Sequence, residues 1–304
     1  MISSLLFHFL LLFFLSPLLP GVIAKTKALI AGRQGPPVLQ LYRDLWKLFR
    51  KEMVISSTTT WVFKAGPIVG LAVPMLGAML IPFGTLAAPL SFTGDLILFV
   101  YLMGLARFCT VLAALDTGSS FEGMGAAREA TFSVLVEPTI FVAFIVLTRI
   151  TGSFTLNTMF DPGTHGALYN NPAAMSLALI SFCLFIVLLV ENCRVPFDDP
   201  NTHLELTMIH EVMVLDHSGP YFGMILYGAA MKLMVSSALV LDLVLPASGS
   251  VLLDGLAFMA AMLLLAVGIG LVESAMARLR MVKVPQLLVG TTLLSFFALI
   301  LILR

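Results

Sequence analysis

The sequence predicts an all-α integral membrane protein, a bundle of about eight transmembrane helices with amphipathic cytoplasmic helices beside it. Of its 304 residues, 59% are hydrophobic and only 11% are charged, whereas soluble domains carry about 25% charged residues. Mean hydropathy is +1.03, and the charged residues are bunched between long apolar runs. A single polytopic membrane domain over residues 1–304 is therefore expected, and a water-soluble globule is excluded.

Eight apolar runs are long enough to span the hydrocarbon layer, which takes about twenty residues of helix. The predicted spans cover approximately 2–24, 66–89, 93–115, 133–151, 173–192, 221–244, 251–273 and 285–303. The first also resembles a cleaved signal peptide, because Val22, Ile23 and Ala24 look like a small-residue cleavage site. A basic segment before it is missing, however, which favours a span.

Lysine and arginine are concentrated in the odd-numbered connections between these spans. Thirteen lie there: Lys25, Lys27, Arg33, Arg43, Lys47, Arg50, Lys51, Lys64, Arg128, Arg194, Arg278, Arg280 and Lys283. The other side has only Arg149 and Arg304. Because basic residues accumulate on the cytoplasmic side, the sequence predicts a multi-pass protein of the cell (inner) membrane with both termini away from the cytoplasm.

The first connection contains a short amphipathic pattern. Leu41, Leu45 and Leu48 recur at helical spacing, with Arg43 and Lys47 between them. This pattern predicts a helix lying in the bilayer interface, with its apolar face in the headgroup region and its cations toward anionic lipid. An ordinary amphipathic connector that only anchors the chain is the alternative.

Charged residues inside spans are costly, on the order of 2.5–3.5 kcal/mol each at mid-bilayer, and often mark an ion or proton path. Glu137, Glu191, Lys232 and Arg107 lie within or at the end of predicted spans. Arg107 and Lys232 are long enough to reach the headgroups instead, whereas the two glutamates are too short. Glu137, Glu191 and Lys232 are therefore candidates for a proton path.

The fifth connection is rich in acids that extend this candidate path. They are Asp198, Asp199, Glu205, Glu211 and Asp216. Pro200 suits the first turn of a helix and Asp198 or Asp199 suits its cap, so a short helix is expected to run to about Leu215.

The sequence also disfavours metal binding and nucleic-acid binding. His203, His210 and His217 are seven residues apart, a weak signal for haem or metal, so solvated helix histidines are expected. The three cysteines form no CxxC pair or disulfide framework. Seventeen basic residues balance seventeen acidic ones, which leaves no basic excess for a phosphate backbone.

Several motifs resemble those of subunit 1 of respiratory complex I and of its relatives in energy-converting membrane hydrogenases, including formate hydrogenlyase subunit 4 and the hydrogenase-4 membrane subunit. They are Arg33-Gln34-Gly35-Pro36, residues 39–48, Leu115-Asp116-Thr117-Gly118, residues 125–130, and the run from Glu191 to Asp198. Asn201 and His203 stand where quinone-reducing members carry acids, and this departure favours the hydrogenase branch.

The resemblance implies a non-catalytic membrane subunit of an electron-transport complex, which holds no redox centre or cofactor itself. Its partners would be a hydrogenase-like large subunit, an iron-sulfur small subunit and antiporter-like membrane subunits. Iron-sulfur clusters are expected in those partners, with nickel-iron left open. The large and small subunits together would form a soluble electron-transfer arm. The residues expected to dock this soluble arm are Arg33, Arg43, Asp116, Arg128, Glu129 and Arg194.

In this interpretation the acids couple electron transfer to proton, or sodium, translocation. Three alternatives remain: a structural anchor without an ion path, a quinone-site subunit of an NADH dehydrogenase, and a free-standing secondary transporter. No internal repeat is visible, which disfavours the transporter.

Overall fold

The computed structural model describes residues 2–161, 173–198, 208–247 and 249–303. Over these residues the chain consists of helices joined by turns and short connections, which confirms the predicted all-α class. In the same residues eight helical segments are long and apolar enough to cross a membrane. The helices are α1 (Ile2–Leu15), α2 (Leu18–Ile30), α3 (Gln40–Leu48), α4 (Trp61–Leu80), α5 (Asp95–Asp116), α6 (Ser120–Thr151), α7 (Leu156–Met159), α8 (Ala173–Glu191), α9 (His210–Met213), α10 (Gly219–Val244), α11 (Val251–Ala275) and α12 (Lys283–Leu303).

The first predicted span consists of two helices, α1 and α2, separated by a break at Pro17. Proline has no N–H, so the Phe13 carbonyl four residues earlier loses its helical donor. The Tyr227 hydroxyl donates to that carbonyl at 3.0 Å, and the Tyr42 hydroxyl donates to the Phe14 carbonyl. Side chains from α10 and α3 thus satisfy the backbone at the break.

The predicted interfacial helix is present as α3. Leu45 is buried, while Trp46 is exposed with the Arg50 guanidinium 4.1 Å from its ring centroid. The helix packs against α10 and α2. The amphipathic pattern therefore predicted this helix correctly, and one face of α3 packs against the helical bundle.

The second span lies earlier in the sequence than predicted. Helix α4 starts at Trp61 because the Thr60 hydroxyl caps it, accepting from the Val62 N–H at 3.2 Å. Beyond Leu80 the backbone becomes extended at Ile81. Hydropathy alone could not detect the cap, and it placed this span at 66–89.

Helix α6 is much longer than the predicted span 133–151. Its 32 residues extend over about 48 Å at 1.5 Å per residue. The predicted third connection shrinks to residues 117–119, because residues 120–132 contain good helix formers such as Ala, Glu, Met and Arg. The charged side chains of that segment therefore lie on a helix that continues into the bundle.

The connection after α8 differs from its prediction as well. Among residues 208–215 only the single turn α9 is helical, so the helix expected to reach about Leu215 is wrong over that range. Asp198 instead contacts the start of α9, where one carboxylate oxygen accepts from the Ile209 and His210 N–H groups at 3.0 and 3.1 Å. The expected helix start at Pro200 lies outside the described residues.

Small residues allow the central helices to approach closely. Helix α4 packs against α5 and α10, and α6 packs against α8 and α12. A Cβ on Gly228 would lie 2.5 Å from the Gly70 carbonyl oxygen, and one on Gly66 would lie 2.7 Å from Ala113 Cβ. Glycine at these crossings is required by backbone contact, as is common between membrane helices.

Candidate functional site

Five charged side chains from four helices form one cluster inside the bundle, named here the central cluster: Arg107 on α5, Glu129 and Glu137 on α6, Glu191 at the end of α8, and Lys232 on α10. Arg107 lies at its centre, in a direct contact with Glu191, 3.3 Å from Glu137 and 3.8 Å from Glu129. The predicted path residues Glu137, Glu191 and Lys232 are thus brought together.

Glu191 connects the two cations of the central cluster. Lys232 Nζ lies 2.9 Å from its Oε2 atom and donates to its backbone carbonyl at 2.6 Å, while Arg107 contacts the other carboxylate oxygen. The side chains of Arg107 and Glu191 are each 10% exposed. Both cations are therefore held by carboxylates within the bundle, which contradicts the alternative that they reach individually to the headgroups.

The charge of the central cluster is unbalanced. Three carboxylates face two cations, giving 2 − 3 = −1 when all five groups are ionised. The Glu137 side chain is also 44% exposed, far more than its neighbours. In a low-dielectric surrounding, adding one proton would neutralise the cluster, and moving that proton among the carboxylates would redistribute the ion pairs.

The central cluster separates two cavities. The larger, of about 390 Å³, lies between α2, α3, α4 and α10, and the smaller, of about 60 Å³, lies between α5, α6, α8 and α10. Arg107, Glu191 and Lys232 line both cavities, whereas Glu137 lines only the smaller one of these two. A chain of ionisable groups therefore connects one cavity to the other.

The remaining predicted path acids are outside the central cluster, although Asp198 lines a small cavity together with Arg107, Glu129 and Glu191. Asp198 forms an ion pair of 2.7 Å with Arg278 and contacts the start of α9. Glu211 lines the larger cavity, and Asp216 is exposed. Asp199 and Glu205 lie outside the described residues.

The six predicted docking residues fall into two groups. Arg33 and Arg43 are exposed. The others make internal contacts: Asp116 caps α4, Arg128 donates to the Met208 carbonyl, Arg194 pairs with Glu273, and Glu129 belongs to the central cluster. Of the six, Arg33 and Arg43 are the exposed pair, whereas the other four are partly buried and hold parts of the bundle together.

The expectation of solvated histidines is wrong for His217. Its ring is 7% exposed and stacks on Phe63, with ring centroids 3.9 Å apart and an interplanar angle of 16°. Burial lowers the pKa of His217 to about 4, and burial also lowers the pKa of His210. His203 lies outside the described residues.

Within the described part of the chain, no group of three or more His, Cys, Asp or Glu side chains is arranged to hold a metal ion. Cys109, Cys183 and Cys193 are free thiols. Burial raises the pKa of the Cys193 thiol, whose Sγ atom lies 4.0 Å from Glu129 Oε2.

Sequence reasoning missed a second group of buried charges. Glu273 on α11 pairs with Lys27 on α2 at 2.9 Å and with Arg194 at 3.6 Å. Glu273 lies at the end of an apolar run, where a carboxylate normally reaches the headgroups, so its burial gave no signal in the sequence. The available hint was its position inside the predicted span 251–273.

These features define a class: a multi-pass helical membrane protein whose bundle holds buried ion pairs between two cavities. The profile of the NADH dehydrogenase family matches residues 2–303, so the chain belongs to that family, which contains subunit 1 of complex I. The resemblance seen in the motifs is thereby confirmed.

Individual relatives fall in the branches named by the motifs. Formate hydrogenlyase subunit 4 of Escherichia coli K12 is 34% identical over 289 residues, 91% of each chain, and hydrogenase-4 component C of the same organism is 34% identical over 238 residues, 78% of this chain and 73% of that one. An NADH-quinone oxidoreductase subunit of Methylococcus capsulatus is 28% identical over 215 residues, 70% of this chain and 65% of that one.

A solved structure shares the fold. A chain of the membrane-bound sulfane sulfur reductase, an archaeal respiratory membrane complex, superposes with a TM-score of 0.81 at 22% identity, and the match covers 99% of both chains. The likeness extends over the whole bundle, so this chain shares the fold of that single chain.

Proposed function

We propose that this chain is the membrane subunit of an energy-converting oxidoreductase of the hydrogenase type. It docks the soluble redox arm and couples electron transfer to proton, or sodium, translocation through its intramembrane carboxylates. The observation that carries the proposal is the central cluster, since Arg107 links Glu191 at the larger cavity to Glu137 at the smaller one.

The contacts support a relay in which charge moves sideways through the bundle. A proton that neutralises Glu191 releases Arg107 and Lys232 from their shared partner. Arg107 then pairs more strongly with Glu129 or Glu137, because fewer carboxylates compete for it. The larger cavity lies at the end of the bundle that carries the connection before α3 and the connection after α8. Movement of these connections, driven by electron transfer in the partners, would set the proton affinity of Glu191.

Glu137 marks the far end of the relay. Its carboxylate is 44% exposed within a membrane-spanning helix, and an ionised carboxylate facing lipid is costly. A neighbouring membrane subunit that covers this position resolves the cost and receives the charge. Antiporter-like subunits suit that position, in line with the partners that the motif resemblance implies.

The redox step belongs to the partners. An iron-sulfur small subunit and a hydrogenase-like large subunit would carry the iron-sulfur clusters, and a nickel-iron centre in the large subunit remains an open alternative. This division rests on the 34% identity to subunits of formate hydrogenlyase and hydrogenase-4.

The experiment is a pair of glutamine substitutions, Glu137→Gln and Glu191→Gln, in the assembled complex. Glutamine keeps the shape and much of the hydrogen bonding but removes titration. We expect assembly to survive, most clearly for Glu137→Gln, and the number of ions translocated per electron in vesicles to fall below the wild-type value because one relay group is lost.

Glu122→Gln is the matched control, because Glu122 is buried in α6 but lies outside the central cluster, where it accepts from the Asp216 N–H. It should leave coupling intact. Wild-type coupling in both test variants would favour the structural-anchor function instead.

A quinone-site subunit is the second candidate, because the larger cavity is lined mainly by apolar groups of α2, α4 and α10. Titrating the purified complex with a short-chain quinone tests it. Saturable binding that is lost in Gly70→Leu would support this candidate, because Gly70 lines the cavity and a side chain there would extend into open space.

A further inference from the structure

Glu273 is a deeply buried acid that the relay does not use. Its side chain is 0% exposed, although it lies in the last turn of α11. Lys27 and Arg194 approach its two carboxylate oxygens, from α2 and from the connection after α8. A buried carboxylate that contacts two cations joins the segments that supply them.

The same end of α11 holds the connection after α8 at two further points. The Leu279 N–H donates to the Pro196 carbonyl at 2.9 Å, and Arg278 pairs with Asp198 at 2.7 Å. Residues 273–279 thus contact positions 194, 196 and 198 in succession. We call residues 191–198 the Glu191 segment.

This attachment lies close to the central cluster. Arg194 follows Glu191 by three residues, a distance of about 10 Å at most for extended chain. Both charge groups line the larger cavity, and their charges are opposite: the central cluster sums to −1, while Glu273 with Lys27 and Arg194 sums to 2 − 1 = +1. Only Asn192 and Cys193 separate Glu191 from Arg194. Because the connection is this short, any displacement of Arg194 moves Glu191 or strains the two residues between them.

We propose that Glu273 is a positioning residue that fixes the Glu191 segment, and through it the Glu191 carboxylate, relative to Arg107 and Lys232. If α2 or the turn between α11 and α12 is displaced, Glu273 transmits that displacement to the central cluster. The proposal rests on the proposed function only for its consequence on coupling, since the attachment itself is a geometric statement.

Cys193 reports directly on the attachment, because it lies inside the Glu191 segment and is only 8% exposed. In the assembled complex, the rate at which N-ethylmaleimide modifies Cys193 is measured by mass spectrometry in wild type and in Glu273→Gln. We expect the rate to rise at least about tenfold, since releasing a buried segment exposes the thiol. Ser274→Ala, which alters the neighbouring side chain, should leave the rate unchanged.

Two further variants separate positioning from general damage. Glu273→Asp keeps the charge and should return both the Cys193 rate and the coupling ratio toward wild type. Arg194→Gln removes the Arg194 side of the Arg194–Glu273 ion pair and should raise the rate of Cys193 modification as Glu273→Gln does. The test therefore survives if one of the two variants fails to assemble.

An unchanged Cys193 rate in both Glu273→Gln and Arg194→Gln would overturn the proposal. So would a failure of Glu273→Asp to return the Cys193 rate toward wild type when the amount of assembled complex equals that of Glu273→Gln. The outcome is distinct from that of the proposed function: normal coupling in Glu137→Gln and Glu191→Gln, together with a raised Cys193 rate in Glu273→Gln, would overturn the relay and retain the attachment.

Discussion

His217 shows how burial changes an ionisable side chain at the loop-rich end of the bundle. Its stack on Phe63 places the ring between α4 and the start of α10. The folded-state pKa is about 4, below the value of about 6.5 in an unfolded chain. Between these two values the unfolded chain binds the proton more readily, so stability falls as the pH falls through that range.

The substitution His217→Phe removes this titration while keeping an aromatic ring beside Phe63. We expect the variant to gain thermal stability relative to wild type as the pH falls from about 7 to about 5, with a difference of up to about 1.4 kcal/mol per pH unit. Thermal unfolding of the purified complex at several pH values measures it. A difference that does not change with pH would contradict the assigned pKa.

At the same scale, two of the glutamates of α6, Glu129 and Glu137, show what sequence can reveal about a site. Glu137 lies within an apolar run, so its cost in the bilayer identified it. Glu129 lies eight residues earlier in a polar stretch and looked like a surface residue, yet it contacts Arg107. The difference is tertiary: only the packing of α5 on α6 decides which charges of a continuous helix are enclosed.

Among the helices, the junction of α4 and α5 depends on one acid. Asp116 at the end of α5 accepts from the Thr60 N–H at 2.7 Å, the Thr60 hydroxyl at 2.9 Å and the Phe63 N–H at 3.3 Å. These bonds satisfy the free N–H groups at the start of α4. A residue expected to dock a partner therefore caps a neighbouring helix.

Replacing Asp116 by alanine removes all three bonds. We expect a loss of about 1–2 kcal/mol in stability, the usual cost of a lost helix cap, visible as a lower melting temperature of the isolated subunit in detergent. Glu52→Ala is the control, because Glu52 is an exposed acid in the preceding connection. If Asp116 served docking alone, the isolated subunit would melt at the wild-type temperature.

The helices themselves were largely predictable, and their ends were not. Hydropathy located all eight spans because each must be apolar over about twenty residues. It missed the break at Pro17 and the first thirteen residues of α6, since neither a bend nor a helix leaving the membrane changes hydropathy in a defined way. The cap at Thr60 depends on Asp116, a residue 56 positions away, and such long-range pairs are invisible to local pattern.

For the whole molecule, the orientation predicted from the basic residues can be tested at two exposed serines. Ser56 lies in the connection before α4, and Ser91 lies at the opposite end of the bundle, before α5. In intact cells, a membrane-impermeant maleimide should modify Ser91→Cys but leave Ser56→Cys unmodified until the membrane is opened. Modification of Ser56→Cys from outside would reverse the orientation.

The docking surface is expected at the exposed arginines Arg33 and Arg43, since charge complementarity steers and orients such contacts. Reversing both, Arg33→Glu with Arg43→Glu, should release the soluble arm from membranes, most strongly at low salt, because salt screens the new repulsion. Arg149→Glu reverses an exposed charge at the opposite end and serves as the control. Full retention of the arm in the double variant would count against docking there.

Reversal of Arg128 is less informative for docking. Its guanidinium donates to the Met208 carbonyl, so Arg128→Glu would also detach the connection before α9. A release seen only with Arg128→Glu would therefore indicate internal disruption.

The break in the first membrane segment has a consequence for biogenesis. The Phe13 carbonyl receives its hydrogen bond from a tyrosine 214 residues later in the chain. During synthesis the segment enters the bilayer long before that donor exists, and an unsatisfied carbonyl in lipid is costly. The nascent segment therefore carries this unpaired carbonyl until α10 packs against it, whereas Tyr42 of α3 reaches the neighbouring Phe14 carbonyl earlier in synthesis.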